Sequence, residues 1–567
     1  MNKKLTILAL LAILILAIGL RVFGIGWGLP NSRHYYSYHP DENMVLSAAM
    51  NINIFDGQLD PGFYNYGSLY IYVVSFALLL ASGWGLVNLG SGDISKYIGD
   101  VSNMYMSGRI AALILGVLTV YLVYLLGKRA YGRTVGILAA LFMAVMPIHV
   151  MHSKFLAVDV PATFFVVLTL IFAMRIAEGH RLRDYLLAGL FAGLAAGTKY
   201  NAGLVILAPV AAHIATWINP KCALGFASNS KNPKKTGDGF AIQLLKLISI
   251  PVLTFVGFII GTPGFLLNNE AFMRDFTYEI HHAATGHGLV FVKTGLGWVY
   301  HFGHSLLPGM GLPLLVLAVI GVIYALRKRN VADLALLAFL IVYYAMIGAA
   351  QIRFARYVIP MLPIMAVLAA RVSIDLVDRL KSGRLGSKSL GYAVVCLLVL
   401  ITAFTATYSV ALDTMFVRPD TRDTASDWIR SNIPPGSSIG LATIPWFYTP
   451  PLDPQLGILV RAEDRLERAQ EFTDYTFVIN QNEWDADFLA QESPDYALVT
   501  SFEYQDRMRL NDPSVKKYFG VLNRGYTVAQ EFSGESALVD QLLIFGQLPH
   551  DMSYTSPTIT IYSRKRT

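Results

Sequence analysis

A chain of 567 residues that is 54% hydrophobic and only 15% charged, with a mean hydropathy of +0.49, is too apolar for a water-soluble globule and reads as a polytopic membrane protein. Its charge is divided, because residues 1–411 carry 31 Lys and Arg against 16 Asp and Glu, while residues 412–567 carry 14 against 22. The basic residues lie in short loops between apolar runs, so the net +7 reflects membrane topology and excludes nucleic-acid binding.

The chain opens with Lys3 and Lys4 and an apolar run to Leu20 that lacks a small-x-small cleavage site and is interrupted by Arg21, which reads as an uncleaved first spanning helix. The first stretch to leave the membrane, His34-Tyr-Tyr-Ser-Tyr-His39-Pro40-Asp41-Glu42-Asn43, holds two adjacent acids. Carboxylates at the hydrocarbon boundary are costly unless they bind or react with something, so Asp41 and Glu42 are taken as the catalytic centre. Further apolar segments lie near residues 66–88, 104–126, 134–150, 155–175, 184–198, 201–218, 241–262, 304–326, 331–350, 355–372 and 390–411. Basic clusters mark cytoplasmic loops: Lys128, Arg129 and Arg133; Arg175, Arg181 and Arg183; 221–235; Arg327, Lys328 and Arg329; and 379–388. With a cytoplasmic N-terminus all five fall inside only if one early segment does not cross. Residues 66–88, with Tyr66, Tyr70 and Tyr72 at one end, are the better candidate for a re-entrant or surface-lying helix. About eleven crossings result, with the C-terminal domain outside. The basic stretch 221–235 reads as a flexible cytoplasmic loop, and the two cysteines, Cys222 and Cys396, indicate no disulfide framework.

This topology gathers acids, histidines and a few cations at one membrane face, as an outward-facing active site would, whereas a transporter would more often show ionisable groups in mid-helix. Asp159, two residues before Pro161, has a simpler reading as a helix cap. His149 and His152 follow Pro147 and read equally as interfacial residues. Lys199, in Gly197-Thr198-Lys199-Tyr200, could snorkel to the headgroups. His281, His282 and His287 form a denser cluster open to a substrate or metal role. Arg353 and Arg356 lie on the outer face, where topology gives them no reason to be; an anion would, and planar guanidinium groups suit phosphate.

Residues 412–567 mix strand-like runs with turns. Strands are expected at 438–444, 475–479, 496–500 and 558–562, and Trp428 and Ile429 point to an early amphipathic helix, giving an α/β or α+β domain large enough for its own core. It either covers the active site, recognises an acceptor or stabilises the chain.

In order along the chain, the acid pair Asp41-Glu42, the run Ser107-Gly108-Arg109-Ile110 to Gly127-Lys128-Arg129-Ala130-Tyr131-Gly132, the external Asp159, Gly189-Leu-Phe-Ala-Gly193-Leu-Ala-Ala-Gly197-Thr198-Lys199 and Arg353-Phe-Ala-Arg356-Tyr357-Val-Ile-Pro360-Met-Leu-Pro363 form a pattern. In this pattern the chain resembles the GT-C class of membrane glycosyltransferases, in particular the family-39-like group that includes protein O-mannosyltransferases and lipid A aminoarabinose transferases. The resemblance covers residues 1–411, and 421–436 resembles the start of the external domain in many such enzymes. It implies a polytopic α-helical GT-C domain over 1–411 followed by an extracytoplasmic domain over 412–567, in the cytoplasmic membrane. Where aminoarabinose transferases have a lysine and prolines, this chain has Phe63-Tyr64-Asn65-Tyr66-Gly67, which implies a different donor.

The resemblance implies a polyprenyl-phosphate-linked monosaccharide as donor and a protein, lipid or glycan hydroxyl as acceptor. Asp41 would take the proton from the attacking hydroxyl, with inversion at the anomeric carbon. Lipid phosphate departs as an anion, so cations replace a glycosidase's general acid, and Arg353, Arg356 and Lys199 are the candidates to hold it. Glu42 is assigned to positioning or acceptor binding, and Asp159 to orienting the acceptor or binding a divalent ion. His39, Tyr66, His152, His281, His282 and His287 are candidate substrate or acceptor contacts. The reading fixes no cofactor and leaves a divalent metal ion open, with Asp41, Asp159 and His282 as its candidate ligands. The sequence holds no Gly-rich phosphate loop at a strand-to-helix junction. The competing reading is a transporter or flippase of lipid-linked sugars.

Overall fold

The computed structural model describes residues 3–87, 94–219, 239–384, 388–459, 461–544, 547–555 and 557–565. The expected cytoplasmic loop at 221–235 lies outside the described residues, as does Cys222.

Eight described helices are long and apolar enough to cross a membrane: Lys3–Val22, Ile98–Tyr131, Asp159–Gly179, Tyr200–Ile218, Phe240–Gly261, Val331–Ala349, Ala355–Lys381 and Lys388–Thr414. Gly297–Met310 and Leu312–Lys328, bent by 118°, make a ninth if counted together. The three remaining apolar segments form shorter helices. Leu69–Gly83 has 15 residues, Arg133–Val145 has 13 and Leu182–Ala196 has 15. At about 1.5 Å per residue, none alone covers a hydrocarbon core of about 30 Å. The difference from eleven crossings therefore lies in 134–150 and 184–198. The first stops where Met146, extended at ψ 118° ahead of Pro147, leaves the helical region, because a proline ring disfavours helix in the residue before it.

Leu182–Ala196 compensates for its length by packing closely. Gly189, Gly193 and Gly197 recur every four residues along the face that meets Phe240–Gly261, and a Cβ at Gly193 would stand 2.1 Å from the Thr254 carbonyl oxygen. Small residues at this spacing let two backbones touch. At its C-terminal end the Gly197 carbonyl accepts the Leu69 amide at 2.9 Å, and Gly67 packs on the same peptide. The loop carrying Tyr66 is thereby fixed beside Lys199.

The C-terminal domain is built on five strands: β1 (Ser438–Leu441), β2 (Thr476–Ile479), β3 (Tyr496–Thr500), β4 (Tyr526–Phe532) and β5 (Ile559–Arg564). Their order is β2-β1-β3-β5-β4, with β1 parallel to both neighbours and β5 antiparallel to β3 and β4. The sequence reading missed β4, an edge strand with a register shift between Val528 and Gln530 that breaks the alternation of buried and exposed residues. The expected early helix is Thr421–Asn432, capped by the Asp420 side chain on the Arg422 amide, with Ala425 and Ile429 buried.

The domain has its own core around Ile429, Ile439, Leu498 and Ile561, but one stretch of it belongs elsewhere. Val539, Leu543, Met552 and Tyr554 are buried in the same cluster as the membrane helices. That stretch joins the two halves and carries part of the site.

Candidate active site

Asp41 stands at the turn that opens the helix Glu42–Met50, and its neighbour points elsewhere. The Glu42 carboxylate is wholly buried and accepts Arg109 Nε at 2.8 Å, Arg109 Nη2 at 2.7 Å and the Leu156 amide at 2.8 Å, with Ser37 Oγ as a further donor. Arg109 Nη1 in turn donates to the carbonyls of Ile25 and Trp27, both at 2.7 Å. Glu42 thus ties the segment after the first helix to the helix Ile98–Tyr131 and to the segment before Asp159. It does not line the cavity described next.

Asp41 opens into a cavity of about 970 Å³ at the seam between the membrane helices and the C-terminal domain. Its carboxylate pairs with Arg356 Nη2 at 3.0 Å. Arg356 belongs to the 3-10 stretch Ala355–Met361 that opens the apolar helix running to Lys381, and its guanidinium lies 4.0 Å from the Phe354 ring centroid. Arg356 Nε also faces Asp159 at 3.9 Å, and Nη1 faces Asp551 at 3.5 Å. Asp159 is the first residue of its helix but does not cap it; its Oδ1 takes Lys199 Nζ at 2.5 Å. Lys199 is therefore paired and largely buried, with its ammonium 4.4 Å from the centre of the Tyr357 ring, and does not extend to the headgroups.

Three carboxylates thus surround two cations. Burial pushes the Asp41 carboxyl up, but Arg356, with His39, Lys199 and His287, pulls it below the ordinary carboxylate value. Asp551 is lowered likewise: burial raises it, and Arg356, His152 and two backbone amides outweigh the burial. Both are ionised at neutral pH. Tyr66, which lines the cavity, is held neutral, its pKa raised well above the usual phenol value by the charge of Asp41 and by burial.

The other sequence candidates divide. His282 and His287 line the cavity with ring nitrogens 3.1 Å apart, and burial, with His282, His550 and Arg356, pushes His287 down to about 4. His281 is exposed and outside the lining. His39 lies beneath Asp41, where its Nδ1 accepts the Asp41 amide at 3.3 Å and its ring packs on Phe155. His152 is buried behind the site, and neither ring nitrogen has a hydrogen-bond partner among the described residues. Arg353 is also outside the lining; its Nη1 donates to Thr294 Oγ1 and to the Gly295 carbonyl, both at 2.8 Å. Among the described residues no three His, Cys, Asp or Glu side chains gather as metal ligands, so Asp41, Asp159 and His282 do not form such a set.

The sequence reading missed what the C-terminal domain contributes. Trp446, Phe447, Tyr448, Phe502, His550 and Tyr554 form one wall of the cavity. Asp551 reaches across to the backbone and side chain of Arg356, 195 positions away in the chain. The only trace in the sequence is a His-Asp pair between Pro549 and Tyr554 in a stretch without helix or strand periodicity. Such a pair names no partner.

A family model described as dolichyl-phosphate-mannose-protein mannosyltransferase matches residues 97–227. Among solved structures, the apo oligosaccharyltransferase of Archaeoglobus fulgidus matches with a TM-score of 0.50 at 13% identity, over 94% of this chain and 74% of that one. ArnT from Cupriavidus metallidurans bound to undecaprenyl phosphate matches at 0.47 and 12%, over 99% and 98%. The S. cerevisiae protein O-mannosyltransferase complex bound to the sugar donor matches at 0.32 and 16%, over 48% and 35%. No curated protein matches. The matched family and these neighbours are glycosyltransferases. The likeness to the archaeal enzyme bears on architecture: the chain has the GT-C fold, a bundle of apolar helices followed by a small domain with a sheet.

Proposed function

We propose that the protein is an inverting glycosyltransferase that moves a monosaccharide from a polyprenyl-phosphate donor to an acceptor hydroxyl at the outer face of the membrane. The observation that carries this reading is the cavity of about 970 Å³ in which Asp41, Asp159, Arg356 and Lys199 share one wall system with an apolar side formed by Leu204, Ile280, Met346 and Ile347. A lipid phosphate needs both, since its chain stays in an apolar environment while its charged head meets cations.

In the reaction, the acceptor oxygen attacks the anomeric carbon, the bond from that carbon to the phosphate oxygen breaks, and its electron pair leaves with the lipid phosphate. Asp41 takes the hydroxyl proton as the attacking oxygen becomes acidic. Its lowered pKa makes it a weak base, but it is fully ionised, which suits a proton transferred late. Arg356 and Lys199 stabilise charge developing on the leaving phosphate, the step where fixed cations act most. Asp159 holds Lys199 and completes the acidic side facing the acceptor. Arg353 supports the segment around Thr294 from outside the cavity. Tyr66 and His287, uncharged at neutral pH, and His282, which lies 3.1 Å from His287, serve as polar contacts for substrate hydroxyls.

This reading puts the N-terminus in the cytoplasm and the C-terminal domain outside. It is supported by the helix Asp159–Gly179, which begins at the cavity and ends beside the basic residues Arg181 and Arg183.

The test is reconstitution of the purified protein with labelled polyprenyl-phosphate mannose, glucose, galactose or arabinose and candidate protein, lipid and glycan acceptors. Wild type is expected to transfer one of these sugars with inversion, and Asp41→Asn to lose transfer. Equal transfer by Asp41→Asn overturns the mechanism; no transfer of any sugar overturns the function.

A further inference from the structure

We propose that Asp551, a residue of the C-terminal domain, is a positioning residue of the transfer site that sets the Arg356 guanidinium, so that the domain is a working part of the active site. This rests on the glycosyl-transfer reading above and deepens it.

The geometry is specific to one partner. Asp551 lies in the short turn His550–Met552 and is 1% exposed. Its Oδ1 accepts the Ala355 amide at 2.9 Å and its Oδ2 the Arg356 amide at 3.0 Å. Those are the first amides of the 3-10 stretch Ala355–Met361, the groups that a helical segment leaves without internal partners. A carboxylate arriving from another domain thus does what an N-cap side chain does locally. A cap would stop there. Asp551 also pairs through Oδ2 with Arg356 Nη1 at 3.5 Å, so one carboxylate holds both ends of the same residue. With the Phe354 ring 4.0 Å from the guanidinium, these contacts leave Nη2 aimed at Asp41.

The turn is seated in the membrane half. Met552 and Tyr554 are buried in the membrane-half core, and the helix Ala537–Leu543 packs on the spanning helix Lys388–Thr414. The same turn supplies His550 to the cavity wall. A displacement of this turn would therefore displace Arg356 relative to Asp41 and change the cavity wall together with it.

The experiment uses the full chain in lipid nanodiscs with the donor and acceptor found by the reconstitution above. It compares wild type, Asp551→Asn, Arg356→Gln and the double variant, with thermal melts alongside. Asn keeps the shape and one amide acceptor but loses the charge. Asp551→Asn is expected to melt near wild type while kcat falls about 30-fold and donor KM changes less than about 3-fold, because Arg356 acts on charge that appears in the transition state. In the Arg356→Gln background the same change is expected to cost less than about 2-fold, since residues acting through one another are not additive. Wild-type kcat in Asp551→Asn, or costs that multiply in the double variant, overturns the proposal. Failure of Asp551→Asn to accumulate also overturns it, because capping alone would then account for the residue. Absence of transfer by wild type instead overturns the underlying reading, and the two failures are separate.

Discussion

Asp41 and Glu42 are adjacent in the chain but belong to two polar networks of opposite character. Around Glu42 and Arg109 the contacts are direct: the paired oxygens lie at 2.7–2.8 Å, and the remaining guanidinium donors are taken by the carbonyls of Ile25 and Trp27 and by Ser37 Oγ at 3.2 Å. Around Asp41 the contacts loosen: one guanidinium is shared among three carboxylates at 3.0, 3.5 and 3.9 Å, and its Nη1 makes no hydrogen bond among the described residues. The first network is closed and the second faces the cavity. A buried charge pair with all its valences used can only hold structure, and it is costly to break. A cation with more anionic neighbours than it can fully engage is placed to exchange one of them for a ligand. The difference lies in satisfaction rather than burial, since both networks are mostly removed from water.

The largest effect expected from this contrast is on the Asp41 side. Asp41→Asn should lower turnover by about 10²–10⁴-fold, the range for losing a general base, with the melting temperature near wild type. Arg109→Ala should do the reverse. It strands the Glu42 carboxylate in an apolar setting and should cost about 3–5 kcal/mol of stability, while the protein that remains folded turns over at a near-normal rate. Denaturation and single-turnover measurements on the two variants decide the matter. If Arg109→Ala abolishes turnover at unchanged stability, the division between structural and chemical networks collapses.

The sequence exposed one side of this division better than the other. Asp41, Asp159, Lys199 and Arg356 were legible because charge at an apolar boundary is rare and must be explained, and the structure brings these four into one cavity. The fate of Glu42 was not legible, because a one-residue step at a helix start turns a side chain by about 100°, and its partner lies 67 positions away. Arg353 drew the same argument as Arg356 three residues later and lies outside the lining, since spacing within a motif does not tell which face of a turn meets the cavity. Asp551 gave no signal: it sits in a turn, and its partner is a backbone segment in the other half of the chain. Four of the five strands were read from β-branched and aromatic runs, while the edge strand β4, with its register shift, was not. The helices 134–150 and 184–198 were read as spans from composition; the first stops before Pro147, and the second has only 15 residues and packs closely through its glycine face.

Lys199 offers a more moderate test of the open network. Among the described residues its ammonium engages Asp159 and the Tyr357 ring, so Lys199→Met removes one of two cations without stranding more than one carboxylate. Turnover is expected to fall about 10–10²-fold, less than for Asp41→Asn. A variant that keeps wild-type turnover would leave Arg356 as the sole phosphate partner and narrow the network to one cation.

The smallest expected effect is the response to pH, and it separates a carboxylate base from the histidines around it. Asp41 is held below its ordinary value of 3.8 because Arg356 outweighs burial, so it becomes protonated only as pH falls through a still lower value. Burial pushes His287 down to about 4, and it lowers His39 and His550 as well, so these rings stay neutral through the physiological range. A base with a depressed pKa is fully active above that pKa, so kcat/KM should be flat from about pH 5 to 8, with any acidic limb below it. A histidine base would instead switch on as pH rises through about 6.5. Glu503 is the group to control for: burial pushes it up to about 7, and it stands next to the wall residue Phe502 without lining the cavity. An inflection near 7 that disappears in Glu503→Gln reports the wall supplied by the C-terminal domain. One that persists in Glu503→Gln and disappears in His287→Gln would move the proton-accepting role from Asp41 to the histidine pair, and the open network would then be a binding site whose base lies beside it.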